Sequence, residues 1–546
     1  MKRFYIFSFL LVLSLLVLPK LSAQEKYDSA TVAQIIDQGM NHSQVMDIES
    51  YIADIYGPRL AYSPAFRRAA DWAVKELGSM GLDNPHLESW TPMGKSWTLN
   101  RYSANIIGAQ DWPLISYPKA WSPGTKGTVT GELVYLDSKA DTTLEIYKGK
   151  LKGKFVMLSD SMDVKAHFDP EGIRDADSTL LKIANADMPQ PRGGGRGGMM
   201  RNPAFRARMQ MDFNKMDLCM KEGALGVLTV SRGDGGNVFV QNASVPLSPD
   251  TPDSLRFAAQ DPKCPKIPLQ ISVGAEHYDR LLRMLRKGEK PKLELNLDVT
   301  IAKPDSGYDI VAEIPGSDLK DEVVMIGGHF DSWHGGTGAA DNGTGSAVCM
   351  EAMRILKALD LHPRRTIRIA LWDGEEEGLI GSSQYVKAHF GDRPGPAFGA
   401  GANSGEITYK PEAEKFDVYF NDDNGSGKFR GVYMQGNEAV RPIFREWLKP
   451  FSTMGANTLS LQNTGGTDHL SFDRINLPGF QFIQDELEYG SRTHHSTMDL
   501  YERVQPDDMK QSSVIMAAFA YNAAMREEKF PHKPAPKPEP KGNGSN

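Results

Sequence analysis

Cysteine is scarce in this chain of 546 residues, which contains only Cys219, Cys264 and Cys349. Three cysteines allow at most one disulfide, which excludes a fold held together by several bridges. In an exported chain Cys219 and Cys264 could pair, or all three thiols could stay free. Cys349 lies in an apolar pattern with helical spacing, which indicates a small buried side chain. The cysteines are too few and too scattered in the sequence to build a metal site.

A large excess of charge of one sign is also missing. The 62 basic and 69 acidic residues give a formal net charge of -7, so there is no electrostatic basis for a nucleic-acid partner. Apolar residues make up 40% of the chain and charged residues 24%, as in globular proteins. The length exceeds one ordinary hydrophobic core, so we expect two domains or one large domain with an insertion.

Long apolar runs are absent except at the N-terminus. Lys2 and Arg3 precede the run FYIFSFLLVLSLLVL, and the small residues Ser22 and Ala23 follow it. This order is typical of a secretory signal peptide, here residues 1–23, and it predicts a secreted or periplasmic protein. A retained membrane anchor is the alternative, but the run is shorter than the ~20 apolar residues that span a bilayer. We expect no membrane span after removal of the signal.

Composition divides the rest of the chain. Residues 119–299 contain short β-type runs such as GELVYL and GKFVML between glycines and prolines, which predicts an inserted, mostly-β domain. The flanking segments 24–118 and 300–530 would then form one discontinuous domain. Residues 188–209 are rich in glycine, proline and arginine, which is typical of a flexible surface loop or of a basic arm for an anionic partner. The tail, 531–546, is rich in proline and lysine and is predicted to be disordered.

The sequence after Tyr308 alternates between strand and helix patterns. Apolar runs predict strands at 321–328, 366–372 and 416–420, and helical spacing predicts helices at 346–359 and 381–390. This order predicts an α/β fold with a mostly parallel central sheet sandwiched by helices. In such sheets functional groups gather at the carboxyl ends of the strands.

A histidine and two aspartates follow the first of these strands. His329 comes directly after the apolar MIGG, and Asp331 is placed to accept a hydrogen bond from the second nitrogen of a metal-bound ring. Asp341 lies in AADNGTGSA, where a carboxylate can bridge two cations or cap the following helix. Each residue taken alone also fits a purely structural role.

Two adjacent glutamates follow the next strand. Glu375 and Glu376 come directly after TIRIALWDG. Adjacent carboxylates in a turning backbone diverge, so one can bind a metal while the other faces a water molecule. A solvated acidic turn that also includes Glu377 is the alternative.

The last candidates come in adjacent pairs. Asp422 and Asp423 follow the strand DVYFN, and His494 and His495 lie in RTHHSTMD. Asp499 is close enough in sequence to orient one of the histidines. Two histidines, two aspartates and one glutamate at strand ends form a mixed nitrogen and oxygen ligand set for two divalent cations, which suits zinc.

With these motifs, the chain resembles the co-catalytic dizinc exopeptidases, the family of secreted bacterial aminopeptidases, and within it the members of the plasma glutamate carboxypeptidase type. The motifs that carry the resemblance are YGPRL, GGHFDSW, GAADNGTG, RRTIRIALWDGEEEGLIGS, FNDDNG, GTDHLSF and THHSTMD, in the order of the family. The inserted β region resembles the protease-associated domain that many members carry.

The resemblance implies a role for each candidate. The implied metal ligands of two co-catalytic zinc ions are His329, Asp341, Glu376, Asp423 and His495, with Asp341 as the bridge. Glu375 would be the general base, and Asp331 would be a second catalytic residue that fixes the ring of His329. Asp422 and His494 remain alternatives to their neighbours, and Glu377 would be a bystander. Asp468 and His469 would contact substrate or pack in the core.

The implied function is hydrolysis of peptide bonds at chain ends or in dipeptides. A hydroxide bridging the two zinc ions would attack the carbonyl, with Glu375 moving the proton to the leaving amine. An aminopeptidase is the leading interpretation. Alternatives are a carboxypeptidase or dipeptidase of the glutamate carboxypeptidase type, a glutaminyl cyclase with one zinc, and a non-catalytic binding protein. A peptide or dipeptide is the expected partner, with a homodimer as the expected assembly of such relatives.

Overall fold

The computed structural model describes residues 25–91, 94–188, 202–303, 306–395 and 405–534. The predicted signal peptide lies outside the described residues, as do most of the glycine- and arginine-rich segment and the tail beyond residue 534. Within the described ranges, no helix combines the length and the apolar character that crossing a bilayer requires.

Two eight-stranded sheets organise the described chain. The first has the order β1-β10-β12-β11-β15-β18-β16-β17 and the second the order β3-β2-β9-β5-β6-β7-β8-β4. The strands of the first are β1 (Asp83–Trp90), β10 (Gly307–Ile314), β11 (Leu319–His329), β12 (Arg365–Trp372), β15 (Phe416–Asn421), β16 (Phe429–Tyr433), β17 (Thr458–Ser460) and β18 (Gly479–Gln484). Those of the second are β2 (Ser96–Ile107), β3 (Trp112–Pro113), β4 (Ser116–Pro118), β5 (Val129–Tyr135), β6 (Phe155–Met157), β7 (Gly226–Val230), β8 (Gln270–Val273) and β9 (Lys292–Ala302). A short ribbon pairs β13 (Gly391–Asp392) with β14 (Thr408–Tyr409).

The helices cover the sheets and connect their strands. They are α1 (Ser29–Asn41), α2 (Val45–Ser50), α3 (Pro64–Ser79), α4 (Asp177–Ala184), α5 (Pro203–Glu222), α6 (Ala275–Arg286), α7 (Thr344–Ala358), α8 (Ile380–His389), α9 (Arg441–Leu448), α10 (His469–Asp473) and α11 (Pro506–Met525). Shorter helical turns include Tyr51–Ile55, Glu145–Tyr147, Asp253–Leu255, Ala339–Gly343, Pro411–Glu414, Glu438–Val440, Lys449–Met454, Tyr489–Thr493 and Tyr501–Arg503.

The first sheet is buried on both faces, as the fold prediction requires. Along β11, Val324 and Ile326 enter the core under helices α1, α3, α7 and α11, whereas Met325 between them enters the core under α8 and α10. Ile369 and Trp372 of β12 divide in the same way between the two cores. This alternation follows from the period of two in a strand. The pairings β12–β11, β11–β15 and β15–β18 at its centre are parallel, and antiparallel β1–β10–β12 lies at one edge.

The second sheet occupies the chain between β1 and β10. Its strands run from residue 96 to residue 302, with α6 against one face and α5 against the other. The boundary predicted at residues 118/119 falls inside this sheet, because β2 pairs with β9 from Ser96–Ala302 to Ile107–Lys292. Such long-range antiparallel pairing leaves no local signal that assigns β2 to one domain or the other.

Two local predictions are wrong, and the structure decides whether Cys219 and Cys264 form a disulfide. Residues from Pro203 onward, predicted to be loop, begin helix α5, whose cap Asn202 accepts hydrogen bonds from the next amides. In the predicted disordered tail, Lys533 forms an ion pair with Asp473, so the packed chain includes residues 531–534. All three cysteines are free, and Cys349 is buried as predicted.

Candidate metal centre

Three parallel strands end at the same edge of the first sheet. β11 ends at His329, β12 ends three residues before Glu375, and β15 ends two residues before Asp423. Because β11 is parallel to both of its neighbours, these three side chains meet although they lie far apart in sequence. The geometry is that of ligands placed at the carboxyl ends of strands.

His329 is the centre of a first group of ligating atoms. Its Nε2 lies 3.4 Å from Oδ1 of Asp341 and 3.4 Å from Oδ1 of Asp423. Glu375 Oε2 is farther away, at 4.0 Å from the same nitrogen. The first two spacings match atoms that share one small cation, because ligands about 2 Å from a zinc ion lie a little over 3 Å apart.

His495 is the centre of a second group. Its Nε2 lies 3.2 Å from Oδ2 of Asp341 and 3.0 Å from Oε2 of Glu376. Asp341 therefore presents one carboxylate oxygen to each histidine. A carboxylate placed this way is suited to bridge two cations.

Asp341 owes its position to a sharp turn. Gly338 has a left-handed φ of +68°, and a Cβ on it would collide with the side chain of Ser332. Asp499 then accepts hydrogen bonds from the amides of Ala340 and Asp341, at 2.6 and 3.2 Å. The expectation that Asp499 orients a histidine is therefore wrong, since its carboxylate binds the backbone that carries Asp341.

Arg59 of the YGPRL motif ties the same loops together. Its buried guanidinium donates to the carbonyls of Ile52, Phe330, Thr337 and Gly338, at 2.6–3.1 Å. Four carbonyls satisfied by one side chain hold the segment after His329 against the segment before Asp341. The motif therefore stabilises the two loops that carry His329 and Asp341.

The carboxylate of Asp331 contacts the backbone of the acidic loop, and its carbonyl group contacts His329. The His329 Nδ1 lies 2.9 Å from the carbonyl oxygen of Asp331 and 3.4 Å from its Oδ1. The carboxylate accepts the amides of Glu375 and Glu376, at 3.2 and 3.4 Å. Asp331 therefore fixes the backbone on which those two glutamates diverge, while its own carbonyl faces the histidine.

Within each adjacent pair of candidates, the two residues lie at different distances from the ligand groups. Asp423 reaches the first group, whereas Asp422 is fully buried and its Oδ1 has no hydrogen-bonding partner among the described residues. His494 Nε2 is 4.0 Å from Asp341 Oδ2, farther than the His495 nitrogen, and its ring lies against that of His495 at a tilt of 36°. The geometry thus favours Asp423 and His495 as the ligands of their pairs.

The site concentrates buried negative charge. Burial opposes the protonation of His329, yet Asp423 and Glu375 outweigh it and raise the pKa of this histidine well above its usual range. Burial likewise opposes ionisation of Asp341, but His329 and His495 hold the pKa of that carboxyl well below its usual range. Burial raises the pKa of Glu376 to about 7, against the opposing charge of His495. Such a set of groups stabilises positive charge placed among them.

Unsatisfied oxygens indicate how that positive charge is supplied. Asp341 Oδ2 and Glu376 Oε1 are buried and have no hydrogen-bonding partner among the described residues. An unpaired buried carboxylate oxygen costs free energy unless a cation meets it. The donor set of two imidazoles and three carboxylates fits zinc.

Sequence reasoning missed some contacts of the site. Tyr489 donates to Asp341 Oδ1 at 3.0 Å, although its sequence context contains no signal of this contact. Trp333 Nε1 donates to Glu376 Oε2 at 2.6 Å, and only its position four residues after His329 suggested proximity. Buried Asp468 approaches the general-base candidate, and burial raises its pKa to about 8.

Comparison with known sequences matches part of the chain to a peptidase family. Residues 309–520 match peptidase family M28. Carboxypeptidase Q of Rattus norvegicus is 30% identical over 267 residues, which are 49% of this chain and 52% of the relative. Aminopeptidase YwaD of Bacillus subtilis (strain 168) is 27% identical over 210 residues, 38% of this chain and 42% of the relative. The chain thus spans about half the length of the curated relatives it matches.

Solved structures share the fold. A peptidase M28 precursor from Shewanella amazonensis SB2B superposes with a TM-score of 0.64 at 22% identity, over 93% of this chain and 98% of that one. The zinc aminopeptidase BSAP from Bacillus subtilis gives a TM-score of 0.52 at 18% identity, over 89% of this chain and 96% of that one.

The described chain, with its partly parallel sheet, has the fold of the peptidase M28 precursor. Residues 309–520 are similar to peptidase family M28, in agreement with the resemblance that the motifs of this part of the chain indicate.

Proposed function

We propose that this chain is an exported exopeptidase that uses two zinc ions to cleave peptides from one end or to split dipeptides, with aminopeptidase action as the leading activity. The single observation that carries the proposal is the position of Asp341, whose two oxygens face His329 at 3.4 Å and His495 at 3.2 Å. Export rests on the N-terminal sequence pattern described above.

In this proposal the first zinc would be held by His329, Asp341 and Asp423. The second would be held by Asp341, Glu376 and His495. When bound, zinc lowers the pKa of a coordinated water to about 7 and polarises the substrate carbonyl. The chain itself supplies the buried surroundings, in which electrostatic interactions are stronger than in water.

Glu375 would move the proton. Its amide is fixed by Asp331 and its carboxylate lies 4.0 Å from the His329 nitrogen, on the edge of the first ligand group. Burial raises the pKa of Glu375 well above the usual range, which makes it a stronger base than an exposed glutamate. It would accept a proton from the attacking water and pass that proton to the nitrogen of the departing amine.

Aminopeptidase action is favoured by the acidic surroundings of the site. Asp468 is fully buried, and both of its oxygens lack a hydrogen-bonding partner among the described residues. The ammonium group of a free peptide N-terminus would be stabilised among these buried acids, and its charge would in turn favour the ionised form of Asp468. This preference for a free N-terminus does not depend on the side chain of the substrate.

One observation favours dipeptides as the second candidate. Arg232 of the second sheet's domain is exposed, lies over the Phe239 ring at 4.2 Å and donates to the carbonyl of His494 at 3.0 Å. Among the described residues no carboxylate is within ion-pair distance of its guanidinium. A cation beside the histidine loop would pair with the free carboxylate of a short substrate.

Substrate panels with matched variants test the two modes. The purified protein would be assayed on aminoacyl chromogenic substrates, which have no carboxylate, and on dipeptides, each with chelator and after zinc is restored. We expect zinc-dependent cleavage of the aminoacyl substrates. Arg232→Gln tests the dipeptide mode, with Arg280→Gln as control, because Arg280 lies over the Trp112 ring, which packs against His277 of α6 and not against the candidate ligands.

The outcomes separate the candidates. A rise in KM for dipeptides alone, seen in Arg232→Gln and not in Arg280→Gln, would favour the dipeptidase. Two zinc ions per chain by elemental analysis support the proposal, whereas one zinc together with cyclisation of N-terminal glutamine would favour a glutaminyl cyclase. No cleavage of any substrate with two zinc ions bound would contradict the enzymatic proposal.

A further inference from the structure

The indole of Trp333 contacts a carboxylate of the metal centre directly. Trp333 is 5% exposed, and its Nε1 donates to Oε2 of Glu376 at 2.6 Å. Hydrogen bonds to an ionised acceptor are shorter and stronger than neutral ones. The contact therefore constrains the glutamate rather than merely filling space beside it.

The hydrogen bond falls on the oxygen that faces the second histidine. Glu376 Oε2 lies 3.0 Å from Nε2 of His495, and Glu376 Oε1 is buried without a hydrogen-bonding partner among the described residues. The two oxygens of this carboxylate are thus distinguished by the indole. Rotation of the carboxylate about its terminal bond would break the Trp333 bond, so the indole selects one orientation.

The indole is itself held from the side of the second sheet. Trp333 meets the edge of the Trp121 ring at 6.1 Å, and Trp121 precedes β5 in the chain segment between β4 and β5. Trp121 is fixed in turn, because its Nε1 donates to the carbonyl of Lys95 at 2.7 Å. The next residue, His334, donates through Nε2 to the carbonyl of Pro118, at 2.7 Å.

From these contacts we infer that Trp333 is a positioning residue for the Glu376 arm of the metal centre, and that its N–H group, not its packing against Trp121, orients the glutamate. The inference rests on the proposed zinc site but concerns metal affinity, not the identity of the substrate. Outer partners that orient metal ligands typically change metal affinity about 10- to 100-fold when they are lost. Trp333 would act only on the zinc that Glu376 and His495 hold.

Trp333→Phe removes the N–H and keeps most of the ring. Zinc would be titrated into the metal-free full-length protein in competition with a chromophoric chelator, so that the two dissociation constants are resolved. We expect the dissociation constant of one zinc to rise about 10- to 100-fold and that of the other to stay within a factor of two. The matched control is Trp121→Phe, which removes an indole N–H from the same aromatic cluster without touching Glu376.

Each outcome decides the inference. The inference would be overturned if the zinc affinities of Trp333→Phe were unchanged. It would also be overturned if both zinc sites were weakened equally, or if Trp121→Phe had the same effect, because either result would indicate a general loosening of the structure. If Trp333→Phe does not fold, the indole would be replaced by the isosteric benzothiophene of β-(3-benzothienyl)alanine, which keeps the shape and lacks the donor. A wild-type protein that binds fewer than two zinc ions would instead refute the proposed function.

Discussion

At the scale of single residues, the chemistry depends on side chains that the backbone aims from separate strands. Asp331 illustrates this, because one carboxylate accepts the amides of both Glu375 and Glu376. That double contact turns two adjacent glutamates in different directions. The sequence predicts their divergence, but only the structure identifies the residue that enforces it.

Glu375→Gln tests the proposed base. The amide keeps the shape of the side chain but cannot accept a proton, so we expect kcat to fall by about 10²- to 10⁴-fold. Zinc content, measured by elemental analysis, should stay at the wild-type value, because the ligand groups at His329 and His495 are intact. The control is Glu377→Gln, which removes the same charge from the third glutamate of the triplet. Wild-type turnover in the Glu375 variant would refute the assignment of Glu375 as the base. So would a loss of turnover that occurs only in the Glu377 variant.

At the scale of secondary-structure elements, apolar runs predicted three adjacent central strands of the first sheet well. The runs at 321–328, 366–372 and 416–420 correspond to β11, β12 and β15, each extended by at most two residues at an end. Strands buried on both faces leave a strong signal because nearly every side chain is apolar. Helix α5 was missed, since its buried contacts are limited to Lys215, Met216 and Cys219 and its start follows a glycine-rich segment.

His389 at the end of α8 joins three elements and makes their packing sensitive to pH. Its Nε2 lies 2.6 Å from Glu88 of β1, and its Nδ1 lies 2.8 Å from Glu412 in the turn Pro411–Glu414. The bond to Glu88 raises the pKa of His389 above its ordinary value, while burial opposes the shift. A raised pKa in the folded state means that this contribution is fully present below the unfolded-state pKa of about 6.5 and is lost as pH rises through the folded-state pKa.

His389→Gln should therefore lower Tm more at pH 6 than at pH 9. The difference in Tm between the variant and the wild type would be followed by thermal unfolding across that range. His362→Gln is the control, because His362 is exposed and its nearest acid, Asp360, is 3.8 Å away. A Tm difference that is constant with pH would contradict the ion-pair role.

At the scale of the whole molecule, the two sheets meet around the aromatic cluster that contains Trp97, Trp121 and Trp333. The metal centre lies on the first sheet but is touched by this cluster through Trp333. Stability and metal binding should therefore be linked. Unpaired buried carboxylates at the site oppose folding when no cation is present.

Zinc removal should lower the thermal stability of the full-length protein. A ligand at 100 times its dissociation constant adds about 2.7 kcal/mol to the free energy of unfolding. We expect Tm to rise with free zinc concentration in the metal-depleted wild type and to respond much less in Asp341→Asn, which weakens both ligand groups. Calorimetry at fixed free zinc checks this, and a wild-type Tm independent of zinc would contradict the site.

The sequence alone predicted the fold class and the set of candidate residues at the metal centre, because buried strands and ligand motifs are encoded locally in apolar runs and spacing. It did not determine which member of each adjacent pair faces the centre, since Asp422 and Asp423, or His494 and His495, differ by one step of backbone. Nor did it reveal that Arg59 braces two loops, that Asp499 supports Asp341, or that β2 pairs with β9. These depend on contacts between residues far apart in the chain, and only the tertiary structure decides them.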